Sequence, residues 1–168
     1  MVVGPEDVGK TTLCRTLLNW AVRAGRLPVF VDLDVNQNLI SLPGTISSVV
    51  VERTALVEEG FNIDSQIAYH YGYKTPAENP TLYKRLMTVL KEAINLRCES
   101  IHSSLIGGVI INTTSWIKDE GFRSLIHAAI EFDVSVILVL DQERLRVELK
   151  RDLPEDIQVV SLPKSGGV

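Results

Sequence analysis

A phosphate-binding motif lies near the start of the chain. Residues 4–11 read Gly-Pro-Glu-Asp-Val-Gly-Lys-Thr and match the pattern G-x-x-x-x-G-K-[ST]. The glycines allow a tight turn, and backbone N–H groups at the start of the following helix face an anion. Lys10 is expected to reach the β and γ phosphates of a nucleotide, and the Thr11 hydroxyl to bind Mg²⁺. The residues predicted to bind the nucleotide are Gly4, Pro5, Glu6, Asp7, Val8, Gly9, Lys10, Thr11 and Thr12.

Two carboxylates, Asp32 and Asp34, end the next apolar segment. Ligands of open parallel sheets bind beyond the carboxyl ends of the strands, and residues two apart in a strand share a face. We therefore expect both acids near the phosphates. One would hold Mg²⁺, directly or through water, and the other would accept a proton from an attacking hydroxyl. The alternative is that they are solvated loop acids.

A third apolar segment ends in Asn112, Thr113 and Thr114, and Trp116 follows in the predicted loop. A tryptophan beside a phosphate site offers a stacking surface for a nucleic-acid base. It could equally be a core residue that covers the helix expected to start near residue 119. The sequence leaves both interpretations open.

Strands and helices alternate along the chain, as in α/β domains. Apolar spacing predicts helices over residues 10–24, 81–98, 121–131 and 142–152, and strands over residues 29–34, 48–51, 106–111, 134–140 and 157–162. Trp20 is expected on the buried face of the first helix, and the rest of residues 35–80 is expected to be irregular. The predicted fold class is α/β: a P-loop nucleoside triphosphatase fold with a mainly parallel sheet flanked by helices.

Composition narrows the functional classes. The 168 residues suit one domain, and the net charge of −4 argues against broad, non-specific binding of nucleic acids. No apolar run reaches the roughly 18 residues that span a bilayer, so no membrane partner is expected. Because only three residues precede Gly4, we expect a shortened first strand and a chain that is a fragment of a longer protein.

Further segments of the sequence, taken together with the phosphate loop, match the pattern of one protein family. They are residues 4–15, 30–35, 43–45, 112–113 with Trp116, 141–145, 148–154 and 162–168. Together they resemble the eukaryotic polyribonucleotide 5'-hydroxyl-kinases of the Clp type, which act in messenger-RNA cleavage and polyadenylation and in tRNA splicing. The resemblance runs from end to end but covers only the family's central kinase domain. The flanking N- and C-terminal domains and the lid are therefore expected to be absent.

The resemblance implies transfer of the γ-phosphate of ATP, with Mg²⁺, to the 5'-hydroxyl of RNA. Lys10 and Thr11 match the phosphate-loop lysine and the magnesium-binding hydroxyl, and Asp34 matches the acid that activates the 5'-hydroxyl. With Asp34 as the base, Asp32 is left as the predicted magnesium ligand. Gln37 and Trp116 match family residues that are expected to bind the end of the RNA. The resemblance also implies a nuclear protein whose partners are subunits of the pre-mRNA cleavage complex or of the tRNA splicing endonuclease complex.

Several positions depart from the family pattern. Asn36 and Ser115 stand where the family has glycine, and Glu6 brings a negative charge to the phosphate loop. The lid arginines of the family lie just beyond the segment that ends this chain. Such groups are worth about 10³-fold or more in phosphoryl transfer, so the chain as written is expected to bind nucleotide poorly and to be nearly inactive.

Other functions remain open at this stage. The protein could be an ATP-loaded scaffold subunit of an RNA 3'-end processing complex with little or no turnover. It could also be a nucleotide switch that hydrolyses its triphosphate on a partner. A third alternative is the related kinase that acts on ribosomal RNA precursors. The intact Lys10, Thr11 and Asp34 favour the kinase.

Overall fold

The computed structural model describes residues 1–55, 60–62, 64–99 and 106–164. Within them, one sheet holds the strands β1 (Val2–Val3), β2 (Leu27–Asp32), β3 (Thr45–Val50), β4 (Ile67–His70), β5 (Ile106–Asn112), β6 (Val136–Leu140) and β7 (Gln158–Leu162). The helices are α1 (Lys10–Arg23), α2 (Pro80–Glu99), α3 (Glu120–Glu131) and α4 (Glu143–Asp152), and a 3-10 turn covers Pro76–Glu78. Part of one family segment, residues 165–168, lies outside the described residues.

The strand order is β4-β3-β2-β5-β1-β6-β7. All neighbouring pairs from β2 to β7 are parallel, while β3 is antiparallel to β2 and β4 is antiparallel to β3. The predicted α/β fold with a mainly parallel sheet is confirmed. Strand β4 was missed, because it lies in the region expected to be irregular and its residues are only half-buried or exposed.

Helix α1 follows the phosphate loop and packs on one face of the sheet. Its buried residues are Lys10, Cys14 and Leu18, which are four residues apart. The predicted burial of Trp20 is wrong: 62% of this residue is exposed to solvent. The buried stripe of the helix runs through position 18, and Trp20 lies two positions further on, about 200° around the helix.

Two apolar clusters cover the two faces of the sheet. One lies under α1 and contains Val2, Leu18 and Phe30; the other lies under α2 and α3 and contains Val31, Leu90 and many more core residues. Successive residues of a strand point to opposite faces, so Phe30 and Val31 serve different clusters. Among the described residues, no helix is long and apolar enough to cross a membrane.

A substitution at Phe30 tests the apolar cluster under α1, which supports the phosphate loop. It is fully buried and its ring lies 5.1 Å from that of Phe61. Phe30→Ala should lower the free energy of unfolding by about 3–5 kcal/mol, measured by urea denaturation, because it leaves a cavity between α1 and the sheet. The control Val147→Ala, at a position that is 54% exposed, should change it by less than about 0.5 kcal/mol. Equal effects of the two substitutions would contradict this description of the core.

Candidate active site

The phosphate loop connects β1 to α1 and depends on its glycines. Gly9 precedes the first residue of α1 with φ of +91°, a left-handed conformation that side chains disfavour. A Cβ atom at Gly4 would lie 2.8 Å from the carbonyl oxygen of Leu140 in β6. The loop can therefore pass this close to β6 only with glycine at position 4. The first N–H groups of α1, which have no partner within the helix, are left at the loop.

A cavity of about 380 Å³ opens beside the loop, a size that suits a small-molecule ligand. It lies between the phosphate loop and three segments that follow β2, β4 and β5. Its lining residues are Glu6, Asp7, Gly9, Lys10, Thr11, Asp34, Val35, Asn36, Gln37, Lys74, Thr75, Pro76, Thr114, Ser115 and Trp116.

The cavity brings together most of the residues predicted from the sequence. Lys10, Thr11, Asp34, Gln37 and Trp116 all line it, although they are spread over more than 100 positions of the chain. Four predicted nucleotide-binding residues do not line it: Gly4, Pro5, Val8 and Thr12. The predicted magnesium ligand Asp32 is not part of the lining either.

Lys10 is largely buried and lies between two parts of the site. Its ammonium group donates to the carbonyl oxygen of Pro5 at 2.6 Å and to the hydroxyl of Ser115 at 3.1 Å. Burial lowers the pKa of Lys10, and neighbouring carboxylates, chiefly that of Asp34, oppose this shift. A positive charge is thus held where the loop and the segment after β5 meet.

Asp34 lies just beyond the end of β2, with one carboxylate oxygen engaged and one available. Its Oδ1 accepts hydrogen bonds from the backbone N–H groups of Asn36 at 3.0 Å and Gln37 at 3.3 Å. Within the described part of the chain, its Oδ2 accepts no hydrogen bond from the protein. Asp34 therefore has an oxygen at the cavity that can accept a proton from a bound hydroxyl.

Asp32 is fully buried, unlike Asp34. Its Oδ1 accepts from the N–H of Asp34 and the amide of Asn112, both at 3.0 Å, and its Oδ2 accepts from the N–H of Leu39 at 2.8 Å. The expectation that both acids share one face is wrong, because β2 ends at Asp32 and the chain then turns. Protein donors engage both oxygens of Asp32 and the residue lies outside the cavity lining, while its role as a magnesium ligand stays a prediction.

Asn38 was not identified from the sequence, yet it fixes the segment that carries Asp34. Its side-chain oxygen accepts from the N–H groups of Ile40 and Ser41 and from the hydroxyl of Ser47, at 2.7–3.0 Å. Its amide donates to the carbonyl oxygens of Asp32 and Thr45. Asparagine often bonds to nearby backbone in this way, but its long-range partners in β3 cannot be inferred from local sequence.

Trp116 is half-buried and lies between the cavity and the start of α3. It lines the cavity, and its backbone N–H donates to the hydroxyl of Thr114 at 3.2 Å. A Cβ atom at Gly121 would lie 2.3 Å from the carbonyl oxygen of Trp116 and 2.6 Å from its Cγ. The start of α3 therefore packs directly against Trp116 and holds its indole beside the cavity.

Oxygen donors for a magnesium ion are present at the loop. The Thr11 hydroxyl lines the cavity together with the carboxylates of Glu6, Asp7 and Asp34. Hydroxyl, carboxylate and phosphate oxygens are the ligands that Mg²⁺ prefers. Among the described residues, no group of three or more His, Cys, Asp or Glu forms a metal cluster. The residues present thus fit a magnesium ion that binds together with nucleotide phosphates.

Comparisons with known proteins give the family and the relatives that this chain resembles. The family model described as mRNA cleavage and polyadenylation factor CLP1 P-loop matches residues 4–168. The chain is 54% identical over 168 residues to a protein of Danio rerio named polyribonucleotide 5'-hydroxyl-kinase Clp1, and the match covers all of this chain and 38% of that relative. The Homo sapiens protein of the same name is 52% identical over 168 residues, with 40% of its length covered.

A solved structure of a wild-type Clp1p–Pcf11p complex has the same fold. It superposes with a TM-score of 0.80 over 99% of this chain and 43% of the solved chain, at 24% identity. The chain spans about two fifths of the length of the curated relatives it matches.

Asp32 should make stability depend on pH. Burial raises its pKa from 3.8 to about 7, against the hydrogen bonds that lower it. Because the folded protein favours the protonated acid, its contribution is complete below the unfolded pKa of about 3.9 and is lost as pH rises through 7. The unfolding free energy of wild type relative to Asp32→Asn should fall by at least about 1 kcal/mol from pH 4 to pH 8.

Urea denaturation at a series of pH values measures this difference. The matched control is Asp156→Asn, at an exposed position, whose difference from wild type should stay nearly constant over the same range. A constant difference for Asp32→Asn as well would show that the carboxyl is not held in this buried environment.

Proposed function

Since the chain belongs to the mRNA cleavage and polyadenylation factor CLP1 P-loop family, we propose that it is the catalytic part of an ATP-dependent kinase that phosphorylates the 5'-hydroxyl of RNA. The observation that carries this proposal is the available oxygen of Asp34, which shares one cavity with Lys10 and Thr11. A site that only binds a triphosphate needs Lys10 and Thr11. Asp34 adds a base that can act on a second substrate.

The reaction follows from the arrangement of these groups. Asp34 Oδ2 accepts the proton of the RNA 5'-hydroxyl as its oxygen attacks the γ-phosphorus of ATP in line. The bond from that phosphorus to the bridging oxygen of ADP breaks, and the products are ADP and a 5'-phosphorylated RNA. Lys10 stabilises the charge on the transferred group. Thr11 would hold Mg²⁺ against the phosphate oxygens, where the ion neutralises negative charge.

Gln37 and Trp116 are proposed to receive the end of the RNA. Both line the cavity on the same side of the sheet as Asp34, beyond the carboxyl ends of β2 and β5. A base stacked on the indole of Trp116 would bring the terminal ribose toward the acid. Single-stranded ends suit this mode of binding, because their bases are free to stack.

We further propose that the protein works in the nucleus, with subunits of the pre-mRNA cleavage complex or of the tRNA splicing endonuclease complex. The family's name and the solved complex of Clp1p with Pcf11p support the first of these partners. The net charge of −4 also fits a protein that partner subunits bring to RNA, rather than one attracted to any nucleic acid.

An ATP-loaded scaffold with little turnover is the second candidate. The charge of the cavity favours it: Glu6, Asp7 and Asp34 line the site, whereas Lys10 and Lys74 are the cations in its described lining. An excess of carboxylates works against a triphosphate and against the charge that develops during transfer. The two candidates differ in whether label from ATP reaches RNA.

Asp34→Asn tests the reaction. In the full-length protein, with γ-labelled ATP, magnesium and a short RNA with a 5'-hydroxyl, the variant should label RNA at least about 100-fold more slowly than wild type, because the amide cannot accept the proton. Asp156→Asn, which changes an exposed acid, should label normally. If wild type binds ATP tightly but labels no RNA, the kinase proposal fails and the scaffold is the better account.

Trp116→Ala tests the RNA side of the site. Loss of one stacked base costs about 1–3 kcal/mol, so KM for RNA should rise about 5- to 100-fold while KM for ATP stays within about twofold. The control Trp20→Ala removes a tryptophan from the exposed side of α1 and should change neither constant. An equal rise in both KM values for Trp116→Ala would place the indole at the nucleotide instead.

A further inference from the structure

Two connected loops contribute residues to the lining of the cavity. The acid loop, residues 33–39, follows β2 and carries Asp34 and Gln37. The clasp, residues 71–79, follows β4 and contributes Lys74, Thr75 and Pro76 to the lining. Because the two loops lie on separate segments of the chain, the width of the cavity depends on what joins them.

Tyr83 of α2 contacts the acid loop directly before Asp34. It is 3% exposed, and its hydroxyl donates to the carbonyl oxygen of Leu33 at 2.7 Å. That carbonyl belongs to the peptide group that joins Leu33 to Asp34, and the N–H of the same group donates to Asp32 at 3.0 Å. This peptide group is thus held from both sides.

The hydroxyl of Tyr83 is a permanent donor. Burial raises its pKa well above the usual value of 10, and the nearby charges of Asp34 and Asp32 act in the same direction. The hydroxyl therefore keeps its proton at any pH at which the protein works.

Tyr71 bonds to the backbone of the clasp through its hydroxyl, as Tyr83 bonds to the backbone of the acid loop. Its hydroxyl lies 3.1 Å from the carbonyl oxygens of Pro76 and Asn79, and it accepts the N–H of Asn79 at 3.0 Å. The rings of Tyr71 and Tyr83 meet edge to face, with centroids 5.6 Å apart. The two tyrosines are packed together while each holds a different wall of the cavity.

The backbone of Gly44 joins the acid loop to the clasp by hydrogen bonds. Its N–H donates to the carbonyl oxygen of Val35 in the acid loop at 2.7 Å. Its own carbonyl oxygen accepts from the N–H groups of Tyr71 and Gly72 in the clasp, at 2.8 and 3.0 Å. With φ of +82°, this position suits glycine.

We infer that Tyr83 is a positioning residue for Asp34, and that through Tyr71 and Gly44 it keeps the acid loop and the clasp in one fixed relation. The inference deepens the proposed function and rests on it for its kinetic consequence. Tyr83 touches no substrate. It acts by holding the acid where a 5'-hydroxyl bound at the γ-phosphate can be deprotonated, a geometry in which small displacements are costly.

Tyr83→Phe removes the hydroxyl and keeps the ring. In the full-length protein, kcat for RNA labelling should fall by roughly 10- to 100-fold, while KM for ATP stays within about twofold, because the phosphate loop is unchanged. The matched control is Tyr69→Phe. Tyr69 packs against the same core cluster, and among the described residues its hydroxyl has no hydrogen bond. Tyr69→Phe should leave kcat for RNA labelling and KM for ATP unchanged.

Amide hydrogen exchange gives a readout that needs no catalysis. In Tyr83→Phe, the amides of Gly44 and Gly72, which join the acid loop to the clasp, should exchange about tenfold faster, whereas that of Val31 in the core of β2 should keep its rate. Unchanged kcat together with unchanged exchange at Gly44 would overturn the inference. Equal acceleration at all three amides would also overturn it, because it would reveal only a loss of global stability.

A second variant keeps the inference testable if Tyr83→Phe does not fold. Tyr71→Phe frees the clasp, so it should speed exchange at Asn79 and Gly72 and lower kcat without changing KM for ATP. No change in either measurement would contradict the connection. If no form of the protein labels RNA, the proposed function fails, while the exchange rates still decide whether the two tyrosines hold the loops.

Discussion

The site depends on a buried carboxylate that must be hydrogen-bonded. Asp32 is removed from water at the end of β2, and an unsatisfied charge there would be severely destabilising. Its partners are Asn112 on the adjacent strand β5 and the N–H groups of Asp34 and Leu39. The same bonds that satisfy the carboxyl oxygens fix the direction in which the chain leaves the sheet. The place of Asp34 at the cavity follows from them.

The remainder of the site is arranged around this fixed edge of the sheet. Thr113 donates to the carbonyl oxygen of Val2, which ties β5 to the strand that precedes the phosphate loop. Lys10 then spans from that loop to Ser115, next to Trp116. The groups proposed to bind the nucleotide, to accept a proton and to stack on an RNA base are therefore positioned by one set of strand ends. This is the arrangement expected where ligands bind at the carboxyl edge of a parallel sheet.

The sequence was sufficient for most of the elements and for several residues that line the cavity, among them Lys10, Asp34 and Trp116. The spacing of Gly4, Gly9 and Lys10 is a local pattern, and strands β2, β5 and β6 are short apolar runs, so both could be predicted. The hydrogen bonds of Asp32 and Asn38 could not be predicted in full, because some of their partners lie in strands β5 and β3. Nothing in the local sequence separates a buried acid from one that lines a cavity. Strand β4 was missed because its antiparallel pairing with β3, rather than apolar burial, holds it in the sheet.

The backbone of the single residue Gly44 has a consequence for how this fold can vary in evolution. It bonds to one loop through its N–H and to the other through its carbonyl oxygen, so it sets their spacing without any side chain. Side chains in either loop can be exchanged while these bonds persist. An insertion or deletion of even one residue would move the donors and acceptors out of reach. Related sequences should therefore differ here in residue type far more readily than in loop length.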